Sequence, residues 1–154
     1  MSPDTLLLRE RLRSTVSEVL PGTMAVLPAP ADPGTGTGIA TAACLALSID
    51  RQAHSLVLHA GSELLEQAFR QWMGRAATGQ ELPGMATEIA AELLNQLGGR
   101  FAGELGKAGC TVELATPQAM APNAPIPRSA DGVVLVWRCG GQDSSLRLLP
   151  GTLS

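Results

Sequence analysis

Charge is scarce in this sequence. Asp, Glu, Lys and Arg make up 16% of its 154 residues, and the formal net charge is −3. So mild a balance gives no electrostatic footprint for nucleic acid or for an anionic membrane. Cysteine is sparse too. Cys44, Cys110 and Cys139 lie in apolar runs, outside any CxxC pair and away from histidine. An odd number of such thiols reads as buried and reduced rather than as disulfides or a metal site, which fits a reducing compartment. Long apolar runs are missing. The longest, residues 39–47, contains Thr41 and falls far short of the ~20 residues of a membrane span. Near the N-terminus Arg9, Glu10, Arg11 and Arg13 interrupt the leucines, so no signal-peptide core forms. Together these absences predict a cytoplasmic protein.

Common catalytic and metal-binding patterns are absent as well. The run Gly34-Thr-Gly-Thr-Gly38 lacks the following helix and Lys-Ser/Thr pair of a phosphate loop, and reads as a flexible connection. His54 and His59 have no cysteine or Asp-rich pattern beside them, which favours structural roles over metal binding. No Ser-His-Asp pattern is apparent. Trp72 and Trp137 read as core or interface residues.

What is present is apolar material in the right periods. Hydrophobic residues make up 45% of the chain, enough for a packed core without disulfides or metal. The length predicts one domain over residues 1–154. Residues 4–20 form a first helix, capped by Asp4 or Thr5, with Leu8, Leu12, Val16 and Val19 or Leu20 at helical spacing. Pro21-Gly22 stops it, and residues 28–38 are a Pro- and Gly-rich loop. Two strands, 39–49 and 55–60, face each other across 50–53 as a hairpin. Ser62 caps a second helix, which has Glu63 and Glu66 in its first turns and ends near Gly74. A loop at 76–80 leads to a long helix at about 84–106. Then come a strand at 110–116, a loop at 117–130 with four prolines, and a hairpin of strands 133–139 and 146–149 turning through 140–143. This order predicts an α+β fold with three helices and a mainly antiparallel sheet.

The long helix carries the unusual signal. At 100° per residue with Glu88 at zero, Ile89, Leu93, Leu97, Phe101 and Leu105 fall at about 100°, 140°, 180°, 220° and 260°. Ala86, Ala90 and Leu94 fill the same arc, so this is the core face. Glu88, Glu92, Asn95 and Gly99 fall within about 60° of one another on the opposite side. Around them lie Ala91, Gly98, Ala102 and Gly103, all small. A merely solvated face would carry strong helix formers. Instead there are glycines at 98, 99, 103 and 106, each costing about 1 kcal/mol against alanine. Two readings account for this. The face packs closely on another helix, of the same chain or of a second subunit. Alternatively it is a docking surface, where Glu92 and Asn95, one turn apart, reach into a partner.

These residues, in context, resemble the CheX-type chemotaxis phosphatases of the CheC/CheX/FliY group. That pattern has an Asp or Ser, then ExxN beginning four residues later, then a proline a little over twenty residues beyond the Asn. Here Glu88 holds the first position, Glu92 and Asn95 supply ExxN, and Pro117 follows with 21 residues between. Asn95-Gln-Leu-Gly-Gly-Arg100 matches the glycine-rich turn. A single ExxN is present, as in CheX-like members. Glu88 departs from the expected Asp or Ser.

The resemblance implies a mainly antiparallel sheet packed against three helices, one of them a long active-site helix. It implies a phosphatase acting on the aspartyl phosphate of a CheY-like response regulator. Glu92 and Asn95 would be the acting pair: Glu92 pairing with a lysine of the regulator, Asn95 orienting the attacking water. Glu88, Gly98, Gly99 and Ala102 would line the partner contact. No cofactor or metal would be bound by this chain; Mg2+ would sit on the regulator. Dimerisation through a sheet edge is also implied. A non-catalytic regulator-binding or structural dimerisation module using the same helix face is the alternative.

Overall fold

The structure, a computed structural model, describes residues 4–19, 25–27, 39–126, 132–139 and 142–153. The expected stop at Pro21-Gly22, the loop at 28–38, the turn residues Gly140 and Gly141, and the side chains of Trp137 and Cys139 lie outside the described residues.

The elements run in the order α1 (Thr5–Val19), β1 (Ala25–Leu27), β2 (Ile39–Ile49), β3 (Gln52–Gly61), α2 (Ser62–Met73), α3 (Glu81–Lys107), β4 (Val112–Leu114), β5 (Gln118–Met120), β6 (Val133–Cys139) and β7 (Gln142–Pro150). The strands form one antiparallel sheet in the order β1-β6-β7-β3-β2-β4, with β5 also paired to β2. The fold class is α+β, as the element order predicts. β1 is an addition to the expected strands. It is three residues long, too short for a period to show.

Alternation places the core. Cross-strand partners share a face, so Leu45, Leu56, Leu148 and Val133 form one row across the sheet, and Ala43, Leu58, Leu146 and Leu135 the next. All eight belong to the core cluster, together with Leu8, Leu12 and Val16 of α1, Leu64, Leu65 and Phe69 of α2, and the apolar arc of α3. α3 touches both other helices and runs along the β2 side of the sheet, against β2, β3, β4 and β5.

Local chemistry explains several boundaries. Asp4 caps α1: its Oδ1 accepts from the Leu6 N–H at 3.3 Å. The β2–β3 turn is two residues, Asp50 and Arg51, with φ of 49° and 70°. Positive φ at both is the conformation whose twist suits a tight hairpin. The turn is held in place by the segment before β4, where the Thr111 N–H donates to Asp50 Oδ1 at 2.8 Å. α3 begins at Glu81, earlier than the periodicity shows, because Pro83 sits in the first turn, where no N–H is needed.

Two capping and edge details differ from expectation. Ser62 does not cap α2. Gln142 of β7 does so from across the fold, its Oε1 accepting from the Glu63 N–H at 3.0 Å and from the Ser62 hydroxyl at 3.1 Å. The strand after α3 is shorter than expected, and the chain pairs with β2 again at β5. From Leu47 to Cys44 is three steps on β2, but the matching partners Leu114 and Gln118 are four apart. The extra residue is a bulge, and Pro117, which has no N–H for the ladder, sits beside it.

Candidate functional site on the long helix

α3 is held along its length by ion pairs. At its start, Arg75 grips the Glu81 carboxylate with two bonds of 2.7 and 2.8 Å, while the same guanidinium lies 5.2 Å from the Phe69 ring centroid. That fork, with the Thr78 N–H, draws the Glu81 carboxyl down from its ordinary 4.5 to about 2. Further along, Arg100 bonds Glu18 of α1 at 2.6 Å. Glu104, with 8% of its side chain accessible, pairs with Lys107 at 3.2 Å and with Arg11 of α1 at 3.4 Å. Lys107 first, and Arg11 after it, hold its carboxyl below the usual range.

The middle of the outer face is treated differently. Glu88, Glu92, Asn95 and Gly99 are all exposed. Among the described residues no Lys, Arg or His lies within ion-pairing distance of Glu88 or Glu92, and none bonds the Asn95 amide. Glu92 has a single hydrogen bond, accepted from Gln96 Nε2 at 3.3 Å. The sequence motif does not mark Gln96; the i, i+4 spacing from Glu92 is the signal that finds it. Glu92 and Asn95 are three residues apart, about 4.5 Å along the axis. They thus form one polar tip on a helix whose other side is fixed to the sheet.

The glycines divide into two kinds. Among the described residues, a Cβ at Gly99, Gly103 or Gly106 would meet nothing within 4 Å, so no described helix of this chain packs on these positions. Gly98 is the correction. It is buried, and a Cβ there would run into the Leu45 side chain of β2, with Leu114 of β4 at 3.9 Å. Gly98 therefore lets α3 lie close to the sheet and does not line an open partner surface. Its position at about 280° on the wheel, next to Leu105 at about 260°, is the signal that places it at the core edge. Ala102 is half-buried beside the exposed tip.

The tip can do limited chemistry. A carboxylate attracts and orients a cation. A carboxamide is neutral, both donor and acceptor, and can hold a water but is too weak a base to deprotonate it. Both groups project from the exposed face of the helix.

His54 is buried, with Nδ1 3.0 Å from the Gln52 carbonyl. His59 is buried too, and its burial, with the Arg147 charge, pushes the imidazole down to about 4. Cys44 and Cys110 are free thiols, half-buried rather than fully buried. Trp72 ends the apolar stripe of α2, 37% exposed. Among the described residues no helix is long and apolar enough to cross a membrane.

No family model and no curated protein matches the sequence. Solved structures do match the fold. CheX from Vibrio vulnificus superposes with a TM-score of 0.73 at 12% identity, over 97% of this chain and 100% of that one. CheX from Desulfovibrio desulfuricans gives 0.71 at 12% identity, over 94% and 99%. A chain of the CheX-CheY-BeF3-Mg2+ complex from Borrelia burgdorferi gives 0.70 at 11% identity, over 99% and 100%. With its seven-stranded antiparallel sheet and, among the described residues, three helices, the chain has the CheX-type fold.

Proposed function

We propose that this chain is a phosphatase that accelerates hydrolysis of the aspartyl phosphate on a CheY-like response regulator. The observation that carries the reading is the exposed Glu92–Asn95 tip, which like Glu88 beside it has no ion-paired cation among the described residues, on a helix whose end carboxylates, Glu81 and Glu104, are ion-paired. The Borrelia burgdorferi protein of the same fold was solved together with CheY, BeF3 and Mg2+, which supports a receiver domain as the partner. Dimerisation through a sheet edge and a cytoplasmic location accompany this reading.

The division of labour follows from the side chains. Glu92 anchors α3 by pairing with a lysine in the regulator's active site. Asn95 enters beside the phosphoryl group and orients a water in line with the bond that breaks. Water attacks phosphorus, and the P–O bond to the aspartate breaks with its electron pair returning to the carboxylate. Both of the water's protons leave with the inorganic phosphate. Mg2+, held by the regulator, screens the phosphoryl charge. Little covalent work falls to the phosphatase, because phosphoryl transfer responds chiefly to positioning and charge stabilisation. Glu88 and Gly99, exposed on the same face, and Ala102 at its margin complete the contact.

The test is phosphate release from an acetyl-phosphate-treated CheY-type receiver domain. Asn95→Ala should return the rate to the regulator's own while retaining part of the binding. Glu92→Ala should weaken both. Wild-type behaviour by Asn95→Ala would overturn the mechanism. Binding without any acceleration by the unaltered protein would make it a non-catalytic module.

A further inference from the structure

Position i+4 from a glutamate is where a helix gains most from a cation. α2 follows that rule: Glu66 and Arg70 pair at 3.3 Å. α3 does not follow it at its tip. Four residues after Glu92 stands Gln96, whose Nε2 donates to Glu92 Oε1 at 3.3 Å. An amide at this place holds one carboxylate oxygen through a hydrogen bond, as a cation would, but leaves its charge uncancelled. Oε2 keeps its lone pairs free. Freezing a long side chain before contact also reduces the entropy lost on binding.

We propose that Gln96 is a positioning residue that holds the Glu92 carboxylate in place with its negative charge open to a partner's cation. This rests on the reading of α3 as a docking helix. The occupant is the lysine ammonium of a receiver domain. A cation at position 96 would satisfy Glu92 inside the chain and compete with that lysine.

The competition gives a test that a purely structural role does not pass. Affinity is measured by calorimetry, with the BeF3- and Mg2+-loaded form of the receiver domain used for phosphate release. Melting temperature is followed alongside. Gln96→Lys should melt no lower than the unaltered protein, since it completes an i, i+4 pair, yet bind on the order of fivefold more weakly. Gln96→Met, which keeps the length and loses the donor, should weaken binding about twofold. In a Glu92→Gln background, Gln96→Met should have no further effect, because nothing is left to position. Equal weakening by Gln96→Met in both backgrounds would assign Gln96 a contact of its own and overturn the proposal. So would wild-type affinity of Gln96→Lys where Glu92→Gln binds weakly, and the docking reading would then stand. Wild-type affinity of Glu92→Gln itself would remove the docking reading and this proposal with it.

Discussion

On the sheet side of α3, Ile89, Leu93, Leu97, Phe101 and Leu105 are buried, whereas on the outer side Glu88, Glu92, Asn95 and Gly99 are exposed. Each fully buried large apolar side chain contributes roughly 1.5–3 kcal/mol. Each helical glycine costs about 1 kcal/mol against alanine. The inner face therefore supplies enough for the helix to carry an outer face that is poor at being helix. The contrast is sharpest at Gly98 and Gly99, adjacent in sequence. At the first, the end of the Leu45 side chain stands where a Cβ would be; the second has open space beside it. Inner residues answer to packing, so their substitution is read in stability. Among the described residues Glu88 and Asn95 have no side-chain partner and Gly99 has open space beside it, so under the proposed function their substitution is read in partner binding.

The largest effect that separates the faces is loss of inner volume. Phe101 is fully buried in the core, and Phe101→Ala should lower the unfolding free energy by about 3–5 kcal/mol. Urea denaturation measures it, with Asn95→Ala as the outer counterpart. Asn95→Ala should change stability by no more than about 0.7 kcal/mol, and in the stabilising direction, since alanine is the better helix former. Comparable losses in the two would erase the distinction between faces.

A smaller pair of substitutions should differ in sign. Gly98→Ala gains helix propensity but pushes its methyl group into Leu45, and overpacking of this kind costs about 1–3 kcal/mol. Its net effect should be destabilising. Gly99→Ala meets no neighbour and should stabilise by up to about 1 kcal/mol. Gly99→Leu should keep the fold and weaken the receiver domain's binding. A Gly98→Ala protein as stable as the parent would show that Leu45 moves aside, and the reason given for that glycine would fail.

Much of this was legible from residue spacing, and the exceptions share a cause. The 3.6-residue period of α1, α2 and α3 and the apolar runs of β2, β3 and β6 between turn residues place the elements because each run is long enough to show. β1 and β5 are three residues each and have no pattern to show; they exist because a neighbour offers an edge. The cap of α2 escaped for a similar reason. Ser62 is the local choice, but Gln142, 80 residues away, accepts from the Glu63 N–H and from the Ser62 hydroxyl itself. At the candidate site, the wheel puts Glu88, Glu92, Asn95 and Gly99 together, and the fold leaves all four exposed. The same wheel includes Gly98 only if its borderline angle is ignored. Whether a glycine faces a partner or its own sheet is decided by Leu45, on a different element.

The smallest effect concerns the start of α3, where a carboxylate is paired rather than left open. Arg75 and the Thr78 N–H hold the Glu81 carboxyl near 2, well below its ordinary 4.5. A carboxyl whose pKa is lower in the folded protein than in the unfolded chain stabilises the fold only when ionised. Its contribution is therefore complete above about 4.5 and disappears as the pH falls toward about 2. Glu81→Gln removes that titration, so the difference in urea stability between the two proteins should shrink steadily across this window. Glu104, also depressed, titrates in both proteins and cancels in the difference. The pair is exposed to solvent, so screening keeps the effect small, and added salt should reduce it further. Glu92, with no ion pair among the described residues, should lose no comparable stability at neutral pH on Glu92→Gln. A loss as large at Glu92 as at Glu81 would mean that the tip is already paired within the folded chain, and the contrast between the ends of the helix and its middle would not hold.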